Sequence, residues 1–374
     1  IREHILLKNA IESIVNQIPS DLDIDGNDDG LVDNVTFLVS GSPTGWSDLL
    51  WPHRWSLTYT YNENNNNAVT INGAMVDAYN LNLLSGNPSY FTVGSLCHEF
   101  FHSLGAPDLY HYYNDSAPVA VGGWDIMDNS KDIPQYMGAW MKYRYANWLD
   151  CPLIESGGTY SLNPLQKQEN SCYIIKSPYS ESQLFALEYR KQEGIYESNL
   201  PGIKDGLLVY RINLDINNNS IIDTVEVDDS WNQIIGGNAD GPPDEVYLYR
   251  TGGTSILNGN LLEAIFSSES GQIQINDGTD PSSFLVESFI DDNENGFYDD
   301  GELFSDGNND GIYGDRPGGL HILNVGEPGD SIQFDYVPFY LNTELAGITN
   351  DNDDDGVLNP GESATLHFST GLFG

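Results

Sequence analysis

The stretch that most constrains this chain is Cys97-His98-Glu99-Phe100-Phe101-His102-Ser103-Leu104-Gly105-Ala106-Pro107-Asp108. On a helix, residues four apart stand one turn above the other on the same face, so His98 and His102 can grip a single ion. Glu99 lies between them, unsuited to join the pair as a ligand but within reach of a water at the ion, which fits a general base. A hydrolytic zinc site takes three protein ligands and keeps a fourth position open, so a third ligand is needed. Gly105 can adopt the left-handed conformation that ends a helix, and the turn through Pro107 then returns Asp108 toward the histidines. The expectation is a helix that stops at Gly105, with zinc on His98, His102 and Asp108 and with Glu99 as catalytic acid/base. Cys97 falls on the opposite face of that helix and reads as a small packed hydrophobe.

Downstream, Val121-Gly122-Gly123-Trp124-Asp125-Ile126-Met127-Asp128 is a glycine-rich turn carrying one methionine. In zinc proteases whose motif ends with a glycine turn, such a methionine forms an apolar floor under the metal, which makes Met127 the structural Met-turn residue. The aspartate in third-ligand position, the Gly-Gly-Trp-Asp-Ile-Met turn and the segment Pro134-Gln135-Tyr136-Met137-Gly138-Ala139-Trp140-Met141-Lys142 together resemble the secreted bacterial metallopeptidases related to immune inhibitor A. The resemblance implies a zincin, metzincin-like fold and endopeptidase action on protein or peptide substrates. It also implies secretion as a zymogen with an N-terminal propeptide, and structural calcium. By position it carries over His98, His102 and Asp108 as zinc ligands, Glu99 as acid/base and Met127 as the turn methionine. It is specific over residues 1–150 and looser beyond, where Phe185–Arg190 and Asp205–Ile212 are similar to the family's second half without assigning functional residues.

The chain holds 14 Lys plus Arg against 56 Asp plus Glu, a formal charge of −42. A surface of that sign repels nucleic acid and anionic membranes, so neither is an expected partner. No run of 18 or more apolar residues exists to span a bilayer as a helix. The start at Ile1-Arg2, with neither an initiator methionine nor a signal peptide, reads as a mature fragment. Cys151 and Cys172 flank a short segment and can pair, which fits an oxidising, extracellular setting.

Part of the acidity is organised. A calcium loop places oxygen donors at alternate positions with glycine at the sixth place and a bidentate carboxylate at the twelfth. Asp291, Asn293, Asn295, Phe297, Asp299 and Glu302 fit that pattern around Gly296, and Asp351, Asp353, Asp355, Val357, Asn359 and Glu362 fit it around Gly356. Asp306, Asn308, Asp310 and Ile312 make half a loop. Near the N-terminus Asp25, Asn27, Asp29, Leu31 and Asp33 begin a loop whose twelfth place is Thr36, so that Asp21 or Asp23 would have to complete it. No convincing helix pair flanks any of them, so they read as staples that rigidify the chain.

The expected fold class is α+β, with three regions. Residues 1–150 form the catalytic domain: an amphipathic helix over 1–18, a buried strand over 35–40, a strand over 55–61, a strand pair or bent strand over 68–79, the zinc helix from 92 or 93, and a helix over 134–147. The 68–79 strand is assigned the rim of the cleft, where a substrate backbone would pair by strand addition. Residues 151–338 read as a β-rich second domain, with strands at 173–175, 184–189, 207–213 and 245–250 and a calcium-binding insert at 291–317. Residues 339–374 hold one loop and one strand, 364–369, and read as the start of a truncated C-terminal module. Tyr136 and His111 are considered as helpers at the oxyanion. The alternative to an endopeptidase is a non-enzymatic, calcium-dependent surface or adhesion protein on an inactive protease fold, against which an intact Glu99 argues.

Overall fold

Leu7 and Ile11, one turn apart, are buried while Ile5, Leu6 and Ile14 face outward, so the N-terminal apolar residues make a one-sided helix, α1 (Arg2–Ile14), continued by a 3-10 turn at Val15–Gln17. The computed structural model describes residues 2–40, 51–58, 68–84, 92–112, 117–202, 204–215, 227–228, 233–234, 236–286, 315–338, 340–349 and 365–373. The first sheet joins β1 (Val35–Ser40), β2 (His53–Ser56) and β5 (Ala78–Leu84) in the order β1-β5-β2, with β1 parallel and β2 antiparallel to β5. Between them β3 (Thr70–Ile71) and β4 (Ala74–Met75) form a hairpin whose Asn72-Gly73 corner takes positive φ of 48° and 97°.

Two expectations for this sheet need correction. Strand 35–40 is not buried but alternates between half-buried and exposed residues, because it is an edge with one face on the core. The strand expected over 55–61 runs over His53–Ser56, and residues 59–61 lie outside the described residues. The 68–79 stretch is the expected strand pair, the β3–β4 hairpin, and the strand that follows it, β5, is central in the first sheet with both ladders occupied; β1 and β2 are that sheet's edges among the described residues.

Helix α2 (Val93–Ser103) packs on β5 and β2. Thr92 caps it, its Oγ1 accepting the Ser95 N–H at 3.0 Å. The helix expected over 134–147 is shorter, α3 (Ala139–Arg144). Its first free N–H groups go to carboxylates from elsewhere, Gly138 N to Asp125 Oδ2 and Ala139 N to Glu188 Oε2, while Tyr136 N is spent on Glu197. Tyr145 caps its end, and the left-handed Asn147 follows two residues later.

In the second half β7 (Cys172–Lys176), β8 (Gln183–Arg190), β9 (Gly206–Asn213) and the strand Val246–Leu248 form an antiparallel four-stranded sheet, with β9 and β8 at its centre. These are the four strands anticipated from the apolar runs. The strand Ile332–Tyr336 pairs with Ile322–Leu323 on one side and with β6 (Gly158–Leu162) on the other, in a second antiparallel sheet. A Cys151–Cys172 disulfide ties the segment after α3 to β7. One face of the four-stranded sheet contributes Ala186, Leu208, Tyr210 and Leu248 to an apolar cluster that also holds Leu109, Trp124, Met127 and Trp140. Its other face packs Phe185, Leu187, Val209 and Tyr247 against Phe284, Ile332 and Phe334.

The C-terminal region holds two strands rather than one, Tyr340–Thr349 and Thr365–Phe373, paired antiparallel with a bulge near Leu345. Thr349 pairs with Thr365, so the proposed loop 351–362 connects the two arms. That loop, like 291–302 and 306–312, lies outside the described residues. Among the described residues helices and mostly antiparallel sheets are both present, which is consistent with an α+β class.

Candidate metal centre

Helix α2 carries His98 and His102 on one face, their rings edge to face with centroids 4.8 Å apart. The helix ends as expected: Gly105 takes φ of +97°, Gly105 N donates to His102 O and Ala106 N to Phe101 O, both at 3.0 Å. A residue with a Cβ is strained at that φ, so glycine is what lets the chain turn back here. The returning loop puts Asp108 Oδ1 3.0 Å from His98 Nε2 and 3.4 Å from His102 Nε2.

Both imidazoles turn Nδ1 onto a backbone carbonyl, His98 onto Ile126 O at 2.8 Å and His102 onto Ala106 O at 2.7 Å. A carbonyl only accepts, so each Nδ1 carries the proton and each Nε2 offers a lone pair. Asp108 Oδ1 is buried and has no hydrogen-bond donor. Two imidazole Nε2 atoms and one carboxylate oxygen therefore converge within 4.8 Å of one another. A tetrahedral zinc with ligands near 2.1 Å separates its donors by about 3.4 Å, so the set fits such an ion. Against protons the same carboxylate acts on His98: burial lowers the imidazole's pKa, but Asp108 lifts it further, to about 9. Burial pushes Asp108 up in turn, while the two imidazoles pull it well below the usual carboxylate range. A bound cation has to displace that proton.

Glu99, on the same helix, is 8% exposed. Burial raises its pKa, the two histidines oppose the rise, and Asp108 adds to it. The carboxylate is thereby a stronger base than one in water.

Two tyrosines that follow Asp108 complete the surroundings. Tyr112 donates its hydroxyl to Asp108 Oδ2, and Tyr110 stacks beside His98 with ring centroids 6.3 Å apart. Burial, then the charges of Asp108 and Glu99, keep the Tyr110 phenol protonated to well above its ordinary pKa. Neither earlier helper is at the centre. His111 turns to Asp244, Nε2 to Oδ1 at 2.6 Å, and Tyr136 packs against Tyr196 with Lys142 over its ring. The Tyr110-His111-Tyr112 run just after the ligand was the sequence signal for the two tyrosines, but ring type alone does not say which one faces the carboxylate.

Met127 is fully buried, and its turn touches both sides of the centre: Ile126 O takes the His98 proton and Met127 O accepts Leu109 N at 3.0 Å. The turn is pinned from the second half. Asp125 accepts Met127 N at 2.8 Å and Gly138 N at 2.6 Å, and Arg190 donates to Trp124 O at 2.8 Å while bridging Glu188 and Glu197 at 3.0 and 2.6 Å. Glu188 and Arg190 alternate within an apolar strand, the signal by which this buried pair could have been read. Cys97 is free, half-buried and packed against the same core, and burial raises its thiol pKa.

Of the expected calcium loops only the first is described. Asp25 accepts the N–H groups of Asp29 at 3.0 Å and Gly30 at 2.9 Å, Asp29 accepts Leu31 N at 2.7 Å, and Asp33 accepts Gly26 N. Gly30 and Leu31 lead straight into the β4 edge through Met75 N to Gly30 O at 2.8 Å.

Among the described residues no helix is long and apolar enough to cross a membrane. A comparison with curated proteins finds no match. A comparison with protein families matches residues 17–141 to the immune inhibitor A peptidase M6 catalytic domain. That stretch contains α2, the loop to Asp108 and the Met127 turn, and the match supports a metallopeptidase catalytic domain similar to that of the immune inhibitor A peptidase M6 family.

Proposed function

We propose that the chain is a secreted zinc endopeptidase of metzincin-like fold, acting on extracellular proteins and stabilised by calcium. The observation that carries the zinc assignment is the convergence of the buried Asp108 Oδ1 with the Nε2 atoms of His98 and His102, at 3.0 and 3.4 Å. Zinc, when bound by His98, His102 and Asp108, supplies a Lewis acid for the scissile carbonyl and lowers the pKa of water to about 7. Glu99 removes the proton from the attacking water and passes it to the leaving amine, and its burial favours both transfers. Ile126 O and Ala106 O hold the histidines in one tautomer and orientation. Tyr110, kept neutral beside His98, donates to the oxyanion. The edge strand β2, antiparallel to β5 and packed on α2, is the strand beside which a substrate backbone would lie.

Calcium held at Asp25–Asp33, 291–302, 306–312 and 351–362 would neutralise part of the −42 charge and stiffen the loops. The disulfide supports an extracytoplasmic location, and the family supports synthesis with a propeptide. The buried Glu99 beside a complete ligand set favours an active enzyme over an adhesion module. The test is digestion of an unglycosylated, unstructured polypeptide such as casein. Internal cleavage that a zinc chelator abolishes and added zinc restores is the expected result; cleavage indifferent to the chelator overturns the proposal.

A further inference from the structure

The family match ends at residue 141, yet the loop bearing Asp108 is fastened by a segment much later in the chain. Asn238 is fully buried. Its backbone N–H donates to Asp108 O at 2.8 Å, and its Nδ2 donates to Leu109 O at 3.1 Å and to Val246 O at 2.9 Å. Its Oδ1 accepts Val246 N at 3.0 Å. One side chain thus joins the ligand loop to the first residue of the strand Val246–Leu248, at the edge of the four-stranded sheet. From the opposite side Met127 O takes Leu109 N at 3.0 Å, so the Asp108–Leu109 peptide is gripped at three backbone atoms.

The residues around Asn238 make that grip rigid. Gly237 takes φ of +83°, and a Cβ placed there would lie 2.4 Å from Asp108 O and 2.6 Å from Pro107 Cβ. Its N–H donates to Glu245 Oε2 at 2.5 Å. Glu245, fully buried, is itself held by Trp140 Nε1 at 2.9 Å, by the Tyr145 hydroxyl and by Arg144 Nε at 3.3 Å. Tyr112, whose hydroxyl reaches the other oxygen of Asp108, is tied to the same segment through Tyr112 N to Ala239 O at 2.8 Å.

We propose that Asn238, locked by Gly237 and Glu245, is the positioning residue of the third metal ligand, so that the peptidase centre is complete only with the 236–246 clasp from outside the matched catalytic domain. The inference rests on the zinc reading above. A ligand held at a fixed distance from two others loses affinity and distorts its coordination when its backbone drifts, and supporting groups of this kind are typically worth about 10- to 100-fold in metal affinity.

The test uses the whole chain loaded with cobalt(II), whose visible absorption reports ligand geometry, together with zinc affinity by competition against a chelator. Asn238→Ala and Gly237→Ala are compared with Val325→Ala, a buried substitution in the opposite core that costs stability without touching the loop. The expected result is zinc affinity lower by ~10-fold or more and an altered cobalt spectrum in both clasp variants, with Val325→Ala unchanged in both readouts despite a lower Tm. Should Asn238→Ala fail to fold, Asn238→Ser is read by the same two criteria. Wild-type affinity and spectrum in a folded clasp variant overturn the proposal. A wild-type chain that takes up neither metal overturns the zinc reading, and this inference with it.

Discussion

At the scale of single residues, the centre is a balance of lone pairs and one carboxylate charge, and each support has a measurable share. Tyr112→Phe removes the hydroxyl that holds Asp108 Oδ2 and leaves the ring in place. It should weaken zinc binding by ~10-fold, read by chelator competition, with little change in Tm. The convergence of His98, His102 and Asp108 was legible because each position is fixed by local geometry: a four-residue helical spacing, then a glycine stop. Gly105→Ala tests that reading. At φ of +97° a Cβ should cost about 1–2 kcal/mol and lower the Tm accordingly, and an unchanged Tm would mean the turn does not need glycine. Tyr112 was not legible in the same way, since a hydroxyl reaching a carboxylate has no spacing rule, and Asn238 still less, being 129 residues from the Leu109 it holds.

At the scale of elements, strands were read well where apolar runs fill a sheet buried on both faces, as in β8 and β9. Helix α3 was overextended because its apolar spacing continues through residues whose N–H groups are taken by Asp125, Glu188 and Glu197. Those partners come from a turn and from the second half, which no local pattern contains. The packing of α1 on β2 has its own lock: Glu3 Oε1 lies 3.0 Å from His53 Nε2 and also accepts the Tyr79 hydroxyl. Burial raises the Glu3 pKa, but His53 and Tyr79 bring it below its ordinary 4.5; burial lowers that of His53, but Glu3 brings it above its ordinary 6.5. The Glu3 contribution is thus present above 4.5 and lost as pH falls through its folded value, and the His53 contribution is present below 6.5 and lost as pH rises through its folded value. The stability lost in Glu3→Gln, from urea unfolding at a series of pH values, should therefore be greatest between those two figures. A loss independent of pH would show that the pair is not ionised.

At the scale of the whole molecule, the second half is more than an appendage, for it supplies supports of both the Trp124–Met127 turn and the Asp108 loop. Arg190 is fully buried between Glu188 and Glu197 and also holds Trp124 O. Removing one partner of such a pair typically costs about 3–5 kcal/mol, so Arg190→Met should lower stability by that order and loosen the turn beneath the histidines. The proposed calcium would act on the same scale. A calcium-selective chelator should lower the Tm and hasten self-digestion, because uncompensated carboxylates repel one another and open the loops; an unchanged melting curve would remove calcium from the account.

The central claim, that Glu99 moves the proton at a zinc centre built from His98, His102 and Asp108, is tested most directly by casein cleavage with wild type and Glu99→Ala, each with its zinc content determined. The account predicts about one zinc in both proteins, and cleavage slower in the variant by ~10² or more. Equal cleavage by the two proteins, or a wild type that holds zinc and does not cut, would contradict it.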